Sequence, residues 1–320
     1  MVHLRIVAPA ERAQAALEAL ESSPTVINVV HLPGAARKPE GDVILCDVAR
    51  EEASVILEDL RGLELDRKGS IAIELIDTAL SDAAVAAERE AEGAPSDAVI
   101  WEDVAQRTSE SALLTPGFLV FMILAALIAS VGIYLDSAIL IVGAMVVGPE
   151  FGPIAGFCVA AVQHRPRLAA RSFAALAVGF PLAILAVLGA SLVFKATGIT
   201  PETFTAEDHS LSDTIASPDF FAAFVAFCAG IAGMLSLTTA KSGALIGVLI
   251  SVTTIPAAAN VGVAAAYGDG PSFRGSLGQL AVNVAALLVA GTLTLGVQRA
   301  VYSRRRAAHA RRRAASARAG

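Results

Sequence analysis

The sequence predicts an α-helical polytopic membrane protein with a small α+β domain at its N-terminus. Of the 320 residues, 55% are hydrophobic and only 17% are charged. The charge is uneven, because residues 1–110 carry 22 acidic and 10 basic side chains, whereas the remainder carries 8 and 14. The later part also contains six apolar stretches of at least 19 residues. Each is long enough to cross the roughly 30 Å hydrocarbon core of a bilayer.

Residues 1–80 are predicted to form a cytoplasmic domain with the order βαββαβ. The predicted strands are 2–8, 26–32, 42–48 and 70–76, and the predicted helices are 11–22 and 51–60. This order is typical of a ferredoxin-like sheet with two helices on one face. Such a fold does not by itself give a function. His3 and His31, on or beside these strands, are expected to be surface or packing residues rather than metal ligands.

Residues 81–116 are predicted to link this domain to the membrane. The stretch 81–96 is rich in Ala and Glu, which is typical of a polar, partly helical linker. From 97 to 114, apolar and charged residues alternate around Trp101. We expect an amphipathic helix that lies at the membrane surface or against the helical bundle and passes movement to the spans. A passive spacer is the alternative.

Residues 117–298 are the predicted membrane domain. Its six candidate spans are 117–135, 137–162, 172–194, 220–240, 243–267 and 277–298. Basic residues follow spans two, four and six, whereas the loops on the other side are mostly acidic. Positively charged loops tend to stay in the cytoplasm, so both termini are predicted to be cytoplasmic, in a multi-pass protein of the inner membrane. The N-terminus has no secretory signal pattern, which agrees with this topology.

Residues 299–320 form an arginine-rich tail that is predicted to be cytoplasmic. Arginines beside a membrane attract anionic lipid, by about 1 kcal/mol each near the surface. No aromatic interleaving or nucleic-acid-reading fold accompanies them, so nucleic acid is not an expected partner. The predicted lipid-surface residues are Arg304, Arg305, Arg306, Arg311, Arg312 and Arg313.

The second candidate span is interrupted near its middle. It carries Pro149, Glu150 and Pro153, with Gly148, Gly152 and Gly156 beside them. A helix broken by two prolines is tolerated in hydrocarbon only where it faces other protein or a wet cavity. Glu150 is therefore expected to face inward, and to be protonated or to meet a cation. The structural alternative is a packing kink in which protonated Glu150 bonds a neighbouring helix.

The fifth span repeats these features. The run 137–143, SAILIVG, resembles 242–247, SGALIG, and each continues into an apolar segment broken by proline. The two copies would cross the membrane in opposite directions, which predicts an inverted 3+3 repeat and a transporter-like site near the midplane. The predicted substrate- or ion-binding residues are Glu150, Pro149, Gly152, Pro153, Ser251, Thr253, Thr254, Pro256, Asn260 and Asn283.

Patterns typical of enzymes and metal sites are missing from the sequence. It contains no HExxH, no GxSxG and no clustered aspartates, and a single membrane carboxylate lacks the partnered groups that catalysis needs. Cys46, Cys158 and Cys228 form no CxxC pair, so neither a disulfide framework nor a zinc site is supported. We expect no enzymatic activity, no cofactor and no metal.

Several stretches also resemble a known family. These are VIWEDV, LIASVGIYLDSAILIVGAMVVGPEFGPIAG and GVLISVTTIPAAANVGVAAAYG, together with the last span that contains Asn283. The pattern GAM…P..GPI is similar to that of the bacterial and archaeal membrane proteins catalogued as domain of unknown function 389. The resemblance implies a shared membrane architecture but no chemistry. Members usually have an apolar residue at the position of Glu150 and a second proline beside Pro256, so this chain departs from the family there.

These features lead to two functional hypotheses. The first is a transporter-like or channel-like membrane protein, a homo-oligomer, that moves a small solute or ion through a midplane site at spans two and five. The alternative is a non-transporting sensor or scaffold, in which the cytoplasmic domain binds a small ligand or mediates assembly.

Overall fold

The computed structural model describes residues 1–76, 78–91, 99–201, 203–204, 209–239 and 254–319, the last fifteen as backbone only. It contains two compact units. The first is built mainly from Met1–Val104, and the second from Ala105–Leu237 with the described part of Lys241–Arg304. Each unit is described by itself below.

The first unit contains a four-stranded antiparallel sheet. Its strands are β1 (Val2–Ala8), β2 (Val26–Arg37), β3 (Glu40–Val48) and β4 (Ser70–Leu75), in the spatial order β2-β3-β1-β4. The strands agree with the predicted ones except that β2 continues to Arg37. Two register irregularities, between Ile27 and Val30 and between Leu32 and Ala36, let this longer strand stay paired. Bulges of this kind accommodate Pro and Gly in a strand.

Helices cover one face of this sheet. They are α1 (Ala10–Glu21), α2 (Ala53–Gly62) and α3 (Leu65–Lys68), a single turn that the sequence did not predict. Alternate residues of β1, such as Leu4 and Ile6, pack with Leu20 of α1 and Ile56 of α2 in one hydrophobic core. The apolar face of the sheet, with its period of two residues, therefore packs against the apolar faces of the helices, with their period of 3.6.

The segment after the sheet is partly helical. Helix α4 (Asp82–Glu90) is capped by Ser81, and α5 (Trp101–Ser111) follows. Ile100 belongs to the core of the first unit. The carboxylate of Glu102 accepts hydrogen bonds from Ser54 Oγ at 2.8 Å and from Arg61 Nη1 at 2.9 Å. The first residues of the predicted amphipathic helix thus pack on α2, which the sequence did not predict.

Glu51, just after β3, has a buried carboxyl that should make the stability of the first unit depend on pH. It is 9% exposed, and its burial raises the pKa of its carboxyl above the usual 4.5, with Glu88 and Glu52 adding to the rise. The folded chain then binds this proton more tightly than the unfolded chain. The contribution of the Glu51 carboxyl to the stability of the folded chain is therefore present below pH 4.5, and it is lost as the pH rises through the folded pKa.

Replacing Glu51 by Gln is expected to raise the unfolding temperature at about pH 7. The unfolding temperature of the variant should also decrease less as the pH rises above the usual glutamate pKa. The fluorescence of Trp101, the only tryptophan, reports unfolding of this unit because the side chain is buried there. Glu21→Gln, at an exposed position, is the matched control and should keep the wild-type profile. An unchanged pH profile for Glu51→Gln would contradict the assignment.

The second unit is helical. Its helices are α6 (Pro116–Tyr134), α7 (Ala138–Val147), α8 (Phe151–Gln163), α9 (Pro166–Ala196), α10 (Ser210–Ala216), α11 (Phe220–Thr238), α12 (Thr254–Tyr267) and α13 (Gly270–Ala319). Within the described residues, α6, α9, α11 and residues 270–304 of α13 are each long and apolar enough to cross a membrane. Helices α7 and α8 form a fifth candidate span, bent by 49°.

Candidate spans one, three, four and six thus correspond to continuous helices, and span two is broken. Helix α9 begins six residues before the predicted start of span three. Of span five, only the part from Thr254 onward is described, and residues 243–253 lie outside the described residues. Many large apolar side chains are left exposed on the long helices, including Phe121, Phe173, Phe221 and Leu293. An extended apolar surface of this kind indicates contact with lipid.

Helix α12 lies at the centre of the described bundle. Every residue from Thr254 to Ala264 is buried, as expected of a helix that is apolar on all sides. At Gly262 the helix approaches α9 so closely that an added Cβ would lie 2.8 Å from Ile184 O and from Val187 Cβ. Small residues at such contacts let membrane helices pack backbone to backbone.

An aromatic cluster joins the C-terminal ends of α6, α9 and α12. The ring of Tyr134 lies 6.4 Å from that of Phe194 and 6.3 Å from that of Tyr267. The ring of Phe204 lies between Tyr134 and Tyr267, at 5.3 and 5.5 Å. These three helices therefore run in the same direction and end at the same side of the bundle.

Candidate functional site

The interruption predicted in span two is present. Helix α7 ends at Val147, and α8 begins at Phe151. Pro149 has no backbone N–H, so the α7 hydrogen-bond ladder cannot continue through it. Gly148 has extended backbone, and Glu150 caps α8 with its main chain. The Glu150 residue is only 5% exposed, so its side chain points into the bundle as predicted.

The Glu150 carboxylate meets the start of α12. Oγ1 of Thr254 donates a hydrogen bond to Oε1 of Glu150 at 2.7 Å. The second oxygen, Oε2, has no hydrogen-bond partner among the described residues. The interruption of span two thus meets the described part of span five at a carboxylate with one oxygen bonded and one without a partner among the described residues. We call this contact the Glu150–Thr254 junction.

Gly148 makes room for this arrangement. A Cβ at Gly148 would collide with Oε2 of Glu150 and would lie 2.7 Å from Cγ1 of Ile255. The carboxylate therefore lies directly over the glycine backbone, against the first turn of α12. Only a residue without a side chain leaves this space open at the break.

The junction lies about as far from the start of α6 as from the midpoint of that helix. Tyr134 and Tyr267 contact each other at the ends of α6 and α12. At 1.5 Å per residue, Thr254 is about 20 Å before Tyr267, whereas α6 reaches about 27 Å back to Pro116. Since the two helices run side by side, Thr254 lies within about 7 Å of the level at which α6 begins.

A cavity of about 520 Å³ borders the break. Its walls include Thr108 and Ser111 of α5, Gly117, Phe118 and Phe121 of α6, and Gly148, Pro149, Phe151 and Gly152 at the break. The volume and the mixture of apolar walls with a few polar groups are typical of small-ligand sites. Both chain neighbours of Glu150 line the cavity, whereas its own side chain reaches α12.

The glycines after the break hold the cavity wall in place. A Cβ on Gly152 would lie 2.8 Å from Cβ of Ser111, and one on Gly156 would lie 2.9 Å from Cβ of Ala112. The pair therefore lets α8 lie against the last turn of α5, as the small-xxx-small spacing predicts. The sequence did not identify Thr108 and Ser111 as part of this region, because a local pattern does not show which helix a polar residue in a linker will contact.

The prolines of the predicted site lie beside the junction. Pro153 and Pro256 are both buried in the first turn of their helices, α8 and α12. A missing N–H costs nothing there, because the first four N–H groups of a helix have no intrahelical partner. Ser251 and Thr253 lie outside the described residues.

The structure places the two asparagines elsewhere. Asn260 Nδ2 donates to Ser276 Oγ at 2.9 Å and to Ser212 O at 3.2 Å, and its Oδ1 accepts from Ser212 Oγ at 2.8 Å. These bonds tie α10, α12 and α13 together about 9 Å along α12 from Thr254. Asn283 accepts a hydrogen bond from Gln279 within α13, at 3.1 Å. Both are better explained as links between or within helices than as ligands at the junction.

The remaining predicted groups add no second site. Arg304 is exposed, and the side chains of Arg305, Arg306, Arg311, Arg312 and Arg313 lie outside what the structure describes. In the first unit, His3 and His31 pair with Asp47 and Asp42, each at 2.7 Å. The described residues include no group of three or more His, Cys, Asp or Glu side chains placed to hold a metal ion.

Fold and site together define a multi-pass membrane protein whose second span is broken around a buried carboxylate. Residues 145–289, which include both Glu150 and Thr254, match the family model described as Domain of unknown function (DUF389). This match spans less than half of the 320 residues, and it confirms the resemblance predicted from the sequence.

The comparison with curated proteins agrees with this assignment. A protein of Methanocaldococcus jannaschii, described only as uncharacterized, is 26% identical over 208 residues, which cover 63% of this chain and 62% of that relative. The chain thus aligns with less than two thirds of its relative's length. No solved structure matches the chain.

Proposed function

We propose that this protein is a transporter-like or channel-like membrane protein that moves a small solute or ion past the Glu150–Thr254 junction. The observation that carries the proposal is the contact of Thr254, the first described residue of span five, with a buried carboxylate at the interruption of span two. Oε2 of this carboxylate has no hydrogen-bond partner among the described residues. Irregular backbone and an ionisable group inside a membrane are tolerated mainly where they serve a pathway. The neighbouring cavity would give a solute access to the break.

The helix directions support six spans in an inverted repeat. Helices α6, α9 and α12 end on one side, so the chain must return across the membrane between them, through α7 with α8 and then through α11. Helix α13 would be the final return. Helices α8 and α12 each carry a proline at the third of their described residues. In this topology they run in opposite directions, as inverted repeats require.

The far end of the bundle supports a gated pathway. The cavity lies at the end where α6 begins, whereas the rings of Tyr134, Phe204 and Tyr267 fill the opposite end. A pathway that is open on one side of its site and closed on the other is the arrangement that alternating access needs. We place the open side in the cytoplasm of an inner-membrane protein with both termini cytoplasmic, because the basic residues follow α8 and α13.

The proposal includes further expectations for the whole protein. The first unit, whose strand order is that of a ferredoxin-like domain, would regulate or assemble the protein. We expect a homo-oligomer in contact with anionic lipid at its cytoplasmic face, and no enzymatic activity.

A sensor or scaffold without transport is the second candidate. Helix α5 favours it, because its first turn packs in the N-terminal core and it continues without a break to Ser111. A ligand bound by the first unit could act on the spans through this helix. In that case removing residues 1–95 would abolish every ligand response, whereas substitutions at the junction would change only stability.

Flux into lipid vesicles separates the two candidates. The purified protein is reconstituted, and vesicle swelling is followed in isotonic salts of monovalent cations and anions and in small neutral solutes, with a dye inside that reports pH. We expect flux above that of empty vesicles for at least one of these probes. Thr254→Val, which removes only the hydroxyl at the junction, should lower that flux several-fold.

Thr294→Val is the matched control, since the one bond of the Thr294 hydroxyl among the described residues is to the Ala290 carbonyl of its own helix, at 2.8 Å. It should transport like the wild type. Equal flux in the Thr254→Val and wild-type proteins, or no flux of any probe, would favour the sensor.

A further inference from the structure

We infer that the ligand of the proposed transport site includes a proton, which binds reversibly to the free carboxylate oxygen of Glu150. Oε1 already accepts the hydrogen bond from Thr254. Oε2 is the position left for a proton, because it is buried and has no hydrogen-bond partner among the described residues. The Thr254 hydroxyl can donate to Oε1 whether or not Oε2 carries the proton.

The charges around the junction favour a neutral carboxyl. Helices α6, α7 and α12 contain no acidic, basic or histidine side chain, and their only titratable groups, Tyr134 and Tyr267, lie at the far end. Helix α8 adds only Cys158. The charged residues of the other surrounding segments are Glu102, Asp103, Arg107 and Glu110 of α5 and Arg167, Arg171 and Lys195 of α9. In the described part of the chain Glu150 has no ion pair, so a bound proton is the simplest way to remove its charge.

The ligand set favours a proton over a metal cation. The described side-chain oxygens at the junction are the two of Glu150 and the one of Thr254. Divalent cations such as Mg²⁺ and Ca²⁺ take six or more oxygen ligands, whereas a proton needs one oxygen. Apolar neighbours, with Ile255 packed beside Gly148, fit a neutral group.

The path from the cavity to Glu150 is also short. Pro149 and Phe151 line the cavity on either side of Glu150 in the chain. Rotation of the Glu150 side chain across the break would move Oε2 from α12 to the cavity. A proton taken up at the cavity could thus be delivered at the start of α12, which is the step that proton-coupled transport requires.

Dicyclohexylcarbodiimide tests the inference without any flux measurement. This apolar reagent reacts with protonated carboxyls: the carboxyl oxygen bonds the central carbodiimide carbon, and the proton moves to a carbodiimide nitrogen. No group leaves, so the labelled peptide gains the full mass of the reagent. The full-length protein is labelled in lipid vesicles over a range of pH and analysed by mass spectrometry.

We expect labelling of the peptide that contains Glu150, falling at least tenfold as the pH is raised. Glu150→Gln should remove the label from this peptide, and Glu150→Asp, which keeps a carboxyl, should retain it. Asp213→Asn, at an exposed acid of α10, should label like the wild type.

Three results would overturn the inference. They are no label on Glu150 at any pH, a label that does not change with pH, and protection by Na⁺, K⁺ or Mg²⁺ at constant pH, which would identify a metal cation instead. The outcome is separable from that of the proposed function. Flux without labelling would leave a transporter that does not use a proton at Glu150, and labelling without flux would leave a proton site in a protein that does not transport.

Discussion

Vesicles that contain the Glu150→Gln protein are expected to lose flux by about tenfold or more, which corresponds to at least 1.4 kcal/mol in the step that Glu150 serves. Glutamine has nearly the same shape and can still accept the hydrogen bond from Thr254, so the helices should pack as before. It cannot gain or lose a proton, and it cannot balance the charge of a cation. The variant therefore removes the chemistry of the junction and keeps its structure.

Asp213→Asn is the control for this measurement. It also exchanges a carboxylate for an amide, but at an exposed position of α10, and should give wild-type flux. Size-exclusion profiles of both proteins should match that of the wild type. Wild-type flux through Glu150→Gln would exclude the carboxylate from the transport step. Transport would then depend on the interrupted backbone between α7 and α8.

Replacing Gly262 by Leu is expected to give the largest loss of stability. An added Cβ would lie 2.8 Å from the Ile184 carbonyl oxygen and from Cβ of Val187, and the rest of the leucine would need space that α9 occupies. Overpacking of this kind typically costs about 3 kcal/mol at its upper range. Because α12 is buried on all sides, α9 and α12 cannot move apart without opening the centre of the bundle.

Thermal unfolding in detergent measures this effect, with Gly189→Leu as the matched control. Gly189 is also on α9, but nothing lies within 4 Å of the position of its Cβ. Its substitution should change the stability by no more than about 0.5 kcal/mol. Equal unfolding temperatures for the two variants would show that α9 and α12 do not pack as described.

Glu150 has a further implication for the family. The resemblance that identifies the domain rests on the glycines and prolines around the break, and Glu150 stands where an apolar residue is usual. A proton carried by Glu150 would therefore be a property of this chain and of relatives that share the acid. The interrupted backbone, held open by Gly148, Pro149 and Gly152, would be the feature common to the domain.

Local sequence patterns predicted much of the fold. Alternation in β1 and β3 and helical spacing in α1 and α2 located the N-terminal elements within a few residues, because each pattern reflects the burial of one face. Apolar length alone located α6, α9, α11 and α13. The break at Pro149 followed from the missing N–H of proline, and the inward direction of Glu150 followed from the cost of a charge in hydrocarbon.

The tertiary structure decided what these parts do together. Glu150 and Thr254 are 104 residues apart, and no local period encodes which of several buried polar groups will meet across helices. Asn260 was predicted as a ligand, like Thr254, because it is an uncharged polar residue in the same apolar span. Its side chain instead bonds Ser212 and Ser276. The close approach of α8 to the last turn of α5 depends on two glycines of α8, Gly152 and Gly156. Periodicity records whether a residue is buried, whereas the identity of its partner is set by how whole helices pack.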